Sequence, residues 1–301
     1  MKLTRRSMLQ AGAAGAMSMM MPYSVSRALT LEASRTLTTV SDGSLVLPGS
    51  FIFDPMPQTE LAKVLMETGT SAERLTPECN LALYLDGENT VLFDVGSGPD
   101  FMPSAGTVVD SLNALGLSPE DITHVLFTHA HPDHIWGLLD DFDEPLFHEA
   151  TYMMGRAEWD FWWDPETVNM IGDARMPFAV GAKRRMEIIE DAVILFDDGD
   201  EVLPGISALA TPGHTPGHMA FEIAGGALVV GDAIGNHHVA LRRPDWLSGP
   251  DQDPQTAVAT RRMLLDRLIT DDLTVVGFHL PNGGMGRISR RSDGFYYEAT
   301  P

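Results

Sequence analysis

The sequence predicts an α/β fold in one large domain, and three observations lead there. Short apolar runs end on residues able to bind a metal: 125–127 leads into the segment 128–134, 227–230 into Asp232, and 273–278 into His279. Amphipathic stretches separate them, one at 108–115 closing on Gly116, and one at 254–269 that sets Ala257, Ala259, Met263, Leu264 and Leu268 against Arg261, Arg262 and Arg267. A chain of 301 residues with 44% hydrophobic content can bury one full core.

From the amino terminus, residues 1–28 read as a targeting segment outside the fold. Thr4, Arg5, Arg6, Ser7, Met8 and Leu9 resemble a twin-arginine export motif, and Ser26, Arg27 and Ala28 offer a small-residue cleavage site. The Ala, Gly and Met run between them is only mildly apolar and Pro22 interrupts it, whereas a membrane span needs about 20 strongly apolar residues. The expected location is the periplasm or the exterior, with the twin-arginine export machinery as a partner. That machinery carries folded proteins, which suits an enzyme loaded with metal before export.

Residues 29–301 form the expected domain. Two strands, 36–40 and 44–47, should flank a turn of Ser41, Asp42 and Gly43 as an opening hairpin. A short helix is expected at 61–66, and strands at 81–85 and 91–95 joined through Asp86, Gly87, Glu88 and Asn89. Asp94 then stands at a strand end before Gly96, and His124 lies within the strand 122–127 as a structural residue.

Four potential metal ligands, His129, His131, Asp133 and His134, follow that strand within six residues. In an extended segment residues i and i+2 point the same way, so His129 and His131 can converge on one ion. Pro132 suits the first turn of a helix, which would turn Asp133 and His134 toward a second point beside the first. Two adjacent metal sites are therefore predicted. The imidazole and carboxylate mixture suits zinc, iron, manganese or cobalt without selecting among them, and two zinc ions are the expected pair.

Residues 151–188 read as a helix-rich insertion holding Met153, Met154, Trp159, Phe161, Trp162 and Trp163. Phe161 and Trp162 are expected to line the substrate cleft, and an exposed aromatic cluster here is compatible with a homodimer. His148 reads as structural. Beyond strands near 193–196, at Val202 and at 206–209, the segment TPGHTPGH at 211–218 is a rigid loop that presents His214 as a third ligand beside His129 and His131, with His218 bracing it. A hairpin around Gly225 and Gly226 ends on Asp232, His237 and His238 read as a solvated loop, and the last strand delivers His279.

Composition narrows the function. The net charge is -22, and without Lys2, Arg5, Arg6 and Arg27 the balance is 16 basic to 42 acidic residues, or -26. Such a surface repels polyanions and argues against nucleic acid as a partner. Cys79 is the only cysteine, so no internal disulfide forms and the residue reads as a small buried hydrophobe.

These motifs together resemble the metallo-β-lactamase-fold hydrolases: FDVGSG at 93–98, THAHPDH at 128–134, TPGHTPGH at 211–218, GDA at 231–233 and GFHLP at 277–281 match in order and spacing. Within that superfamily SDG at 41–43, DFW at 160–162 and the GFHLPNGGMGRI ending are similar to methyl parathion hydrolase-like members, with quorum-quenching lactonases also related. The resemblance implies a four-layer αββα sandwich. It implies one ion on His129, His131 and His214, another on Asp133, His134 and His279, and Asp232 bridging both, with Asp94 orienting a ligating histidine. Trp136 stands where the family usually has a small residue and is expected beside the substrate. By the same resemblance Asp133 and Asp232 are the catalytic carboxylates, and a water shared by two divalent ions is the nucleophile.

The expected activity is therefore hydrolysis of a neutral, moderately apolar ester, an organophosphate triester or an aryl or carboxylic ester, with lactones as the alternative. Lactonases of this fold tend to carry Tyr three residues after the bridging Asp, where this chain has Gly235. Outside the hydrolases, a di-iron redox protein or a metal binder without catalysis would use the same ligands.

Overall fold

Alternation along the strands decides the layers. In the strand His124–Phe127, Val125 and Phe127 join one buried cluster while Leu126 joins another on the opposite face. In Ala227–Gly231 the same alternation sends Val229 to the cluster holding Leu126, and Leu228 and Val230 to a third. A strand apolar on both faces must be covered on both. The result is four layers, helices, sheet, sheet, helices, with the shared cluster between the sheets built from Leu37, Phe93 and Leu126 on one side and Phe221, Val229 and Val276 on the other.

The computed structural model describes residues 28–32 and 35–300. The expected export segment at 1–28, Arg5 and Arg6 included, lies outside them apart from Ala28. Among the described residues no helix is long and apolar enough to cross a membrane. In chain order the strands are β1 (Leu29–Glu32), β2 (Arg35–Ser44), β3 (Leu47–Pro48), β4 (Arg74–Leu75), β5 (Glu78–Leu85), β6 (Thr90–Phe93), β7 (His124–Phe127), β8 (Thr151–Gly155) and β9 (Ile194–Phe196). The second half supplies β10 (Glu201–Leu203), β11 (Ile206–Ala210), β12 (Met219–Ile223), β13 (Ala227–Gly231), β14 (Thr274–Gly277), β15 (Met285–Arg291) and β16 (Gly294–Ala299). One seven-stranded sheet runs β1-β2-β5-β6-β7-β8-β9 and the other β10 through β16 in sequence order, while β3 and β4 form a small separate pair.

The helices are α1 (Gly49–Phe53), α2 (Gln58–Thr68), α3 (Val108–Ala114), α4 (Pro132–Ile135), α5 (Arg156–Trp163), α6 (Thr167–Met170), α7 (Met176–Ile189), α8 (Val239–Arg242) and α9 (Pro254–Thr270). Pro254 opens α9 behind Asp253, whose side chain accepts from Thr256 N, as a helix start requires. Strands β6 to β9 pair in parallel, as do β13 and β14, so their carboxyl ends open in one direction and the segments leaving them meet there.

Two expectations are corrected. No hairpin turn forms at Ser41, Asp42 and Gly43: β2 continues through them with a bulge between Ser41 and Ser44, paired to β5. Gly43 sits there at φ +91°, and a Cβ would meet Ser104 O at 2.3 Å. Asp42 is fully buried. Its Oδ2 accepts from Ser97 N at 2.9 Å and Ser97 Oγ at 2.7 Å, and its Oδ1 accepts from Val108 N at 3.0 Å, capping α3 from across the chain. The helix-rich insertion expected at 151–188 is likewise displaced. Residues 151–155 are the inner strand β8, which buries Met153 and Met154 in the core, and the helices begin at Arg156.

Candidate metal centre

Strand β7 ends at Phe127, and the chain stays extended through His131 (φ -69°, ψ 160°) before Pro132 starts α4. The extended part aims His129 and His131 together, and the helical turn carries Asp133 and His134. His214 comes from the loop between β11 and β12, Asp232 from the residue after β13, and His279 from two residues after β14. These seven side chains meet, as two groups: His129, His131 and His214; and Asp133, His134, Asp232 and His279.

In the three-histidine group His131 Nδ1 lies 3.0 Å from His129 Nε2 and 2.9 Å from His214 Nε2. A tetrahedral ion with bonds of about 2.0–2.1 Å spaces its donors about 3.3 Å apart, so these separations suit ligation. In the mixed group His279 Nε2 is 3.2 Å from Asp133 Oδ2, and His134 Nε2 is 3.7 Å from the same oxygen. Asp232 touches both groups: its Oδ2 lies 3.4 Å from His214 Nε2 and 3.4 Å from His279 Nε2, and its Oδ1 lies 3.5 Å from His134 Nε2.

Every imidazole has its other nitrogen engaged, which leaves one lone pair facing inward. Thr128 Oγ donates to Asp94 Oδ2 at 2.8 Å and faces His129 Nδ1 at 3.0 Å, while His134 Nδ1 donates to the same Asp94 oxygen at 2.8 Å. His214 Nδ1 donates to Asp251 Oδ1 at 3.1 Å, with Arg261 on the other oxygen of Asp251 at 3.0 Å. His279 Nδ1 donates to Glu78 O at 2.8 Å, and His131 Nε2 meets the Gln252 side-chain amide at 3.3 Å. Such partners fix tautomer and ring orientation around metals. Asp94 holds its place in a left-handed conformation, φ 65°, unusual for a residue with a side chain. His218 braces the loop: its Nε2 accepts from Asp232 N at 3.1 Å and its Nδ1 bonds Thr211 Oγ1 at 2.7 Å.

The charges divide in the same way. Burial, followed by the neighbouring imidazoles, pushes His129 well below the usual histidine range, and burial with His214 beside it does the same to His131. Burial also opposes the charged form of His134, but Asp94, Asp133 and Asp232 overcome it and lift that imidazole to about 10; His279 is likewise raised, chiefly by Asp232. Two buried carboxylates thus demand positive charge at one point, a demand a divalent cation meets. Asp133 Oδ2, His134 Nε2 and Asp232 Oδ1 are buried atoms without a hydrogen-bond partner, and all three point into the mixed group. The residues present fit a pair of divalent ions.

The donors open onto a cavity of about 350 Å³, floored by His131, Asp133, His214, Asp232 and His279. Its walls are apolar: Leu45, Leu47, Phe51, Ile52 and Met56 from the amino-terminal region, Phe101 and Phe178 from the helical side, and Trp246. The expected wall residues are not among them. Trp162 is buried behind His131, ring centroids 5.8 Å apart, and donates from Nε1 to Glu158; Phe161 packs on Trp162. Trp136 packs against Gly181 and edge-on to Phe101 at 5.4 Å, so it supports the wall without forming it.

Other histidines stay outside both groups. His124 bonds Thr123, and His148 is exposed beside Glu149. His237 is exposed as expected of a solvated loop, but His238 is buried: it packs edge-on to Phe53 at 5.9 Å, and its Nδ1 accepts from Val239 N at 2.8 Å. Burial, with His237 beside it, brings the His238 imidazole down to about 3. Between about pH 3 and pH 6.5 the unfolded chain therefore binds a proton that the folded chain refuses. Stability owed to neutral His238 is complete above pH 6.5 and is lost as pH falls toward 3. His238→Asn keeps a capping acceptor without a titrating ring, so its unfolding free energy should fall less steeply in this window, by about 1 kcal/mol per pH unit in urea denaturation. Cys79 is fully buried, and burial raises its thiol to about 12, which makes it an inert packing residue.

The family model of the metallo-beta-lactamase superfamily matches residues 77–279, most of the described chain. The chain belongs to the metallo-β-lactamase superfamily. Among curated relatives, the N-acyl homoserine lactonase of Bacillus cereus is 24% identical over 200 residues, 64% of this chain and 65% of that protein. The uncharacterized protein YobT of Bacillus subtilis is 29% identical over 128 residues, 42% of this chain and 51% of that one. The chain thus spans between half and about two thirds of these relatives' length. Among solved structures, AidC, a dizinc quorum-quenching lactonase in complex with a product, superposes with a TM-score of 0.85 at 23% identity, covering 92% of this chain and 98% of that chain. The hydrolase AbOPH of the β-lactamase superfamily gives 0.83 at 24% identity, with 92% and 98% covered. At these identities the superpositions speak for the fold. Within that superfamily the two adjacent donor groups are a candidate site for a pair of divalent metal ions.

Proposed function

We propose that the chain is a dinuclear metal-dependent hydrolase of uncharged apolar esters, cyclic esters included. The observation that carries this reading is the apolar cavity ending on two adjacent groups of buried donors. His129, His131 and His214 would hold one ion, Asp133, His134 and His279 the other, and Asp232, within 3.5 Å of donors in both groups, would join them. Divalent ions bound there supply Lewis acidity to the ester oxygen and lower the pKa of water. The protein's own part is separate. Asp94, Asp251 and Glu78 O keep the imidazole Nδ1 protons on the outer side of His134, His214 and His279, so each Nε2 remains a donor. Phe51, Phe101, Phe178 and Trp246 exclude water from the substrate's apolar portion and favour an uncharged ligand.

The lactonase activity of the Bacillus cereus relative favours lactones within this class. Gly235 lines the cavity where lactonases of the fold tend to carry a tyrosine, which leaves room rather than an acid there and suits open-chain and aryl esters as well. The test is a panel of p-nitrophenyl esters, acylated γ-lactones, a paraoxon-like triester and an anionic phosphodiester. Turnover of neutral members, abolished by chelation and restored by zinc, is the expected result, with the phosphodiester untouched. A panel left wholly intact by metal-loaded protein would instead identify a metal binder or redox protein.

A further inference from the structure

Glu158 is a fully buried carboxylate with four donors on it and, among the described residues, no ion-pair partner. Ala130 N and Trp162 Nε1 donate to Oε1 at 2.9 and 2.6 Å; Thr215 Oγ1 and Gly217 N donate to Oε2 at 2.7 and 3.0 Å. Ala130 stands between His129 and His131, and Thr215 and Gly217 stand between His214 and His218. One side chain therefore grips both loops that form the three-histidine group, and the ring of Trp162, which it also holds, lies behind His131 at 5.8 Å. The approach is close: a Cβ on Gly217 would meet Glu158 N at 2.0 Å. In the mixed group, by contrast, His134 is held by Asp94 and His279 by Glu78 O, and Glu158 bonds none of its members.

We infer that Glu158 is a positioning residue that holds His129, His131 and His214 in ligand register and so sets the affinity of one metal position and not the other. This rests on the dinuclear reading above. Two loops leaving different sheets must bring three nitrogens to separations of 2.9–3.0 Å, and the desolvated carboxylate fixes that distance because Oε1 holds Ala130 of one loop and Trp162 of its own helix while Oε2 holds Thr215 and Gly217 of the other loop. A glutamine at this position keeps one acceptor oxygen but presents an N–H to Gly217 N–H, so the clamp opens on the His214 side.

Apo protein titrated with cobalt(II), followed by its visible absorption, tests this directly. Wild type should take two ions. Glu158→Gln should keep the ion of the mixed group within about threefold of wild-type affinity, weaken the three-histidine ion by about 10–100-fold, and shift that ion's absorption. Equal affinities and spectra for both proteins, or equal weakening of both ions, would overturn the inference while leaving the dinuclear reading intact. A wild type that takes fewer than two ions overturns both. If Glu158→Gln does not fold, Thr215→Val, which removes one of the four donors, should weaken the same ion by about 3–10-fold; an unchanged affinity there overturns the inference equally.

Discussion

Asp232→Ala should lower kcat/KM on the best panel substrate by about 10³-fold or more and reduce bound metal below two ions per chain in the same preparation. Asp232 ties the groups together, its two oxygens lying within 3.5 Å of His214 in one and of His134 and His279 in the other. Its loss removes several kcal/mol of charge stabilisation, and each 1.36 kcal/mol is about tenfold in rate. His237→Ala, at an exposed ring outside both groups, serves as the control and should leave metal stoichiometry unchanged. The opposite pattern would overturn the ligand assignment.

The largest stability effect is expected at a residue outside the donor set, Asp42→Ala. The carboxylate accepts three hydrogen bonds in a fully buried position, and alanine leaves Ser97 N and Val108 N without an acceptor. Unsatisfied buried donors cost about 1–3 kcal/mol each, so a loss of about 3–5 kcal/mol follows. For a chain of this size that is a fall in Tm of about 10 °C by calorimetry. Asp42→Asn keeps one acceptor and should lose less. If Asp42→Ala melted within about 1 °C of wild type, the capping role would be wrong.

The contrast between these two residues explains what could be read in advance. Asp232 and His279 were legible because each follows an apolar run at the carboxyl end of a strand, and His129 to His134 because spacing in an extended segment and the following turn fixes side-chain direction. Asp42 was not, because Ser-Asp-Gly has the local composition of a turn, and only pairing with β5 and the distant Ser97 and Val108 override it. Glu158, Asp251 and Arg261 were invisible for a related reason: their roles rest on contacts across 10 to 59 positions of sequence, with no local period. A signal for Glu158 did exist, an acidic residue four positions before Trp162 on an apolar helix face. Trp162 itself misled, since an aromatic cluster suits a pocket wall and a core equally, and here the cavity wall is built mainly by Phe51, Ile52 and Met56 near the amino terminus. The four-layer architecture was read through the resemblance to the superfamily, and the alternation of β7 and β13 between separate buried clusters agrees with it.

The seven inward-facing side chains are split between the sheets, four following β7 and three following β11, β13 and β14. Neither leaf of the sandwich owns a complete set, so the proposed activity depends on the joint between them. Sliding one leaf over the other by about an ångström would scatter the donors while every ladder stayed intact, and misplacement of that size can cost a hundredfold in rate. The apolar seam at Leu126, Phe221 and Val229 is thus what keeps the two halves of the donor set in register.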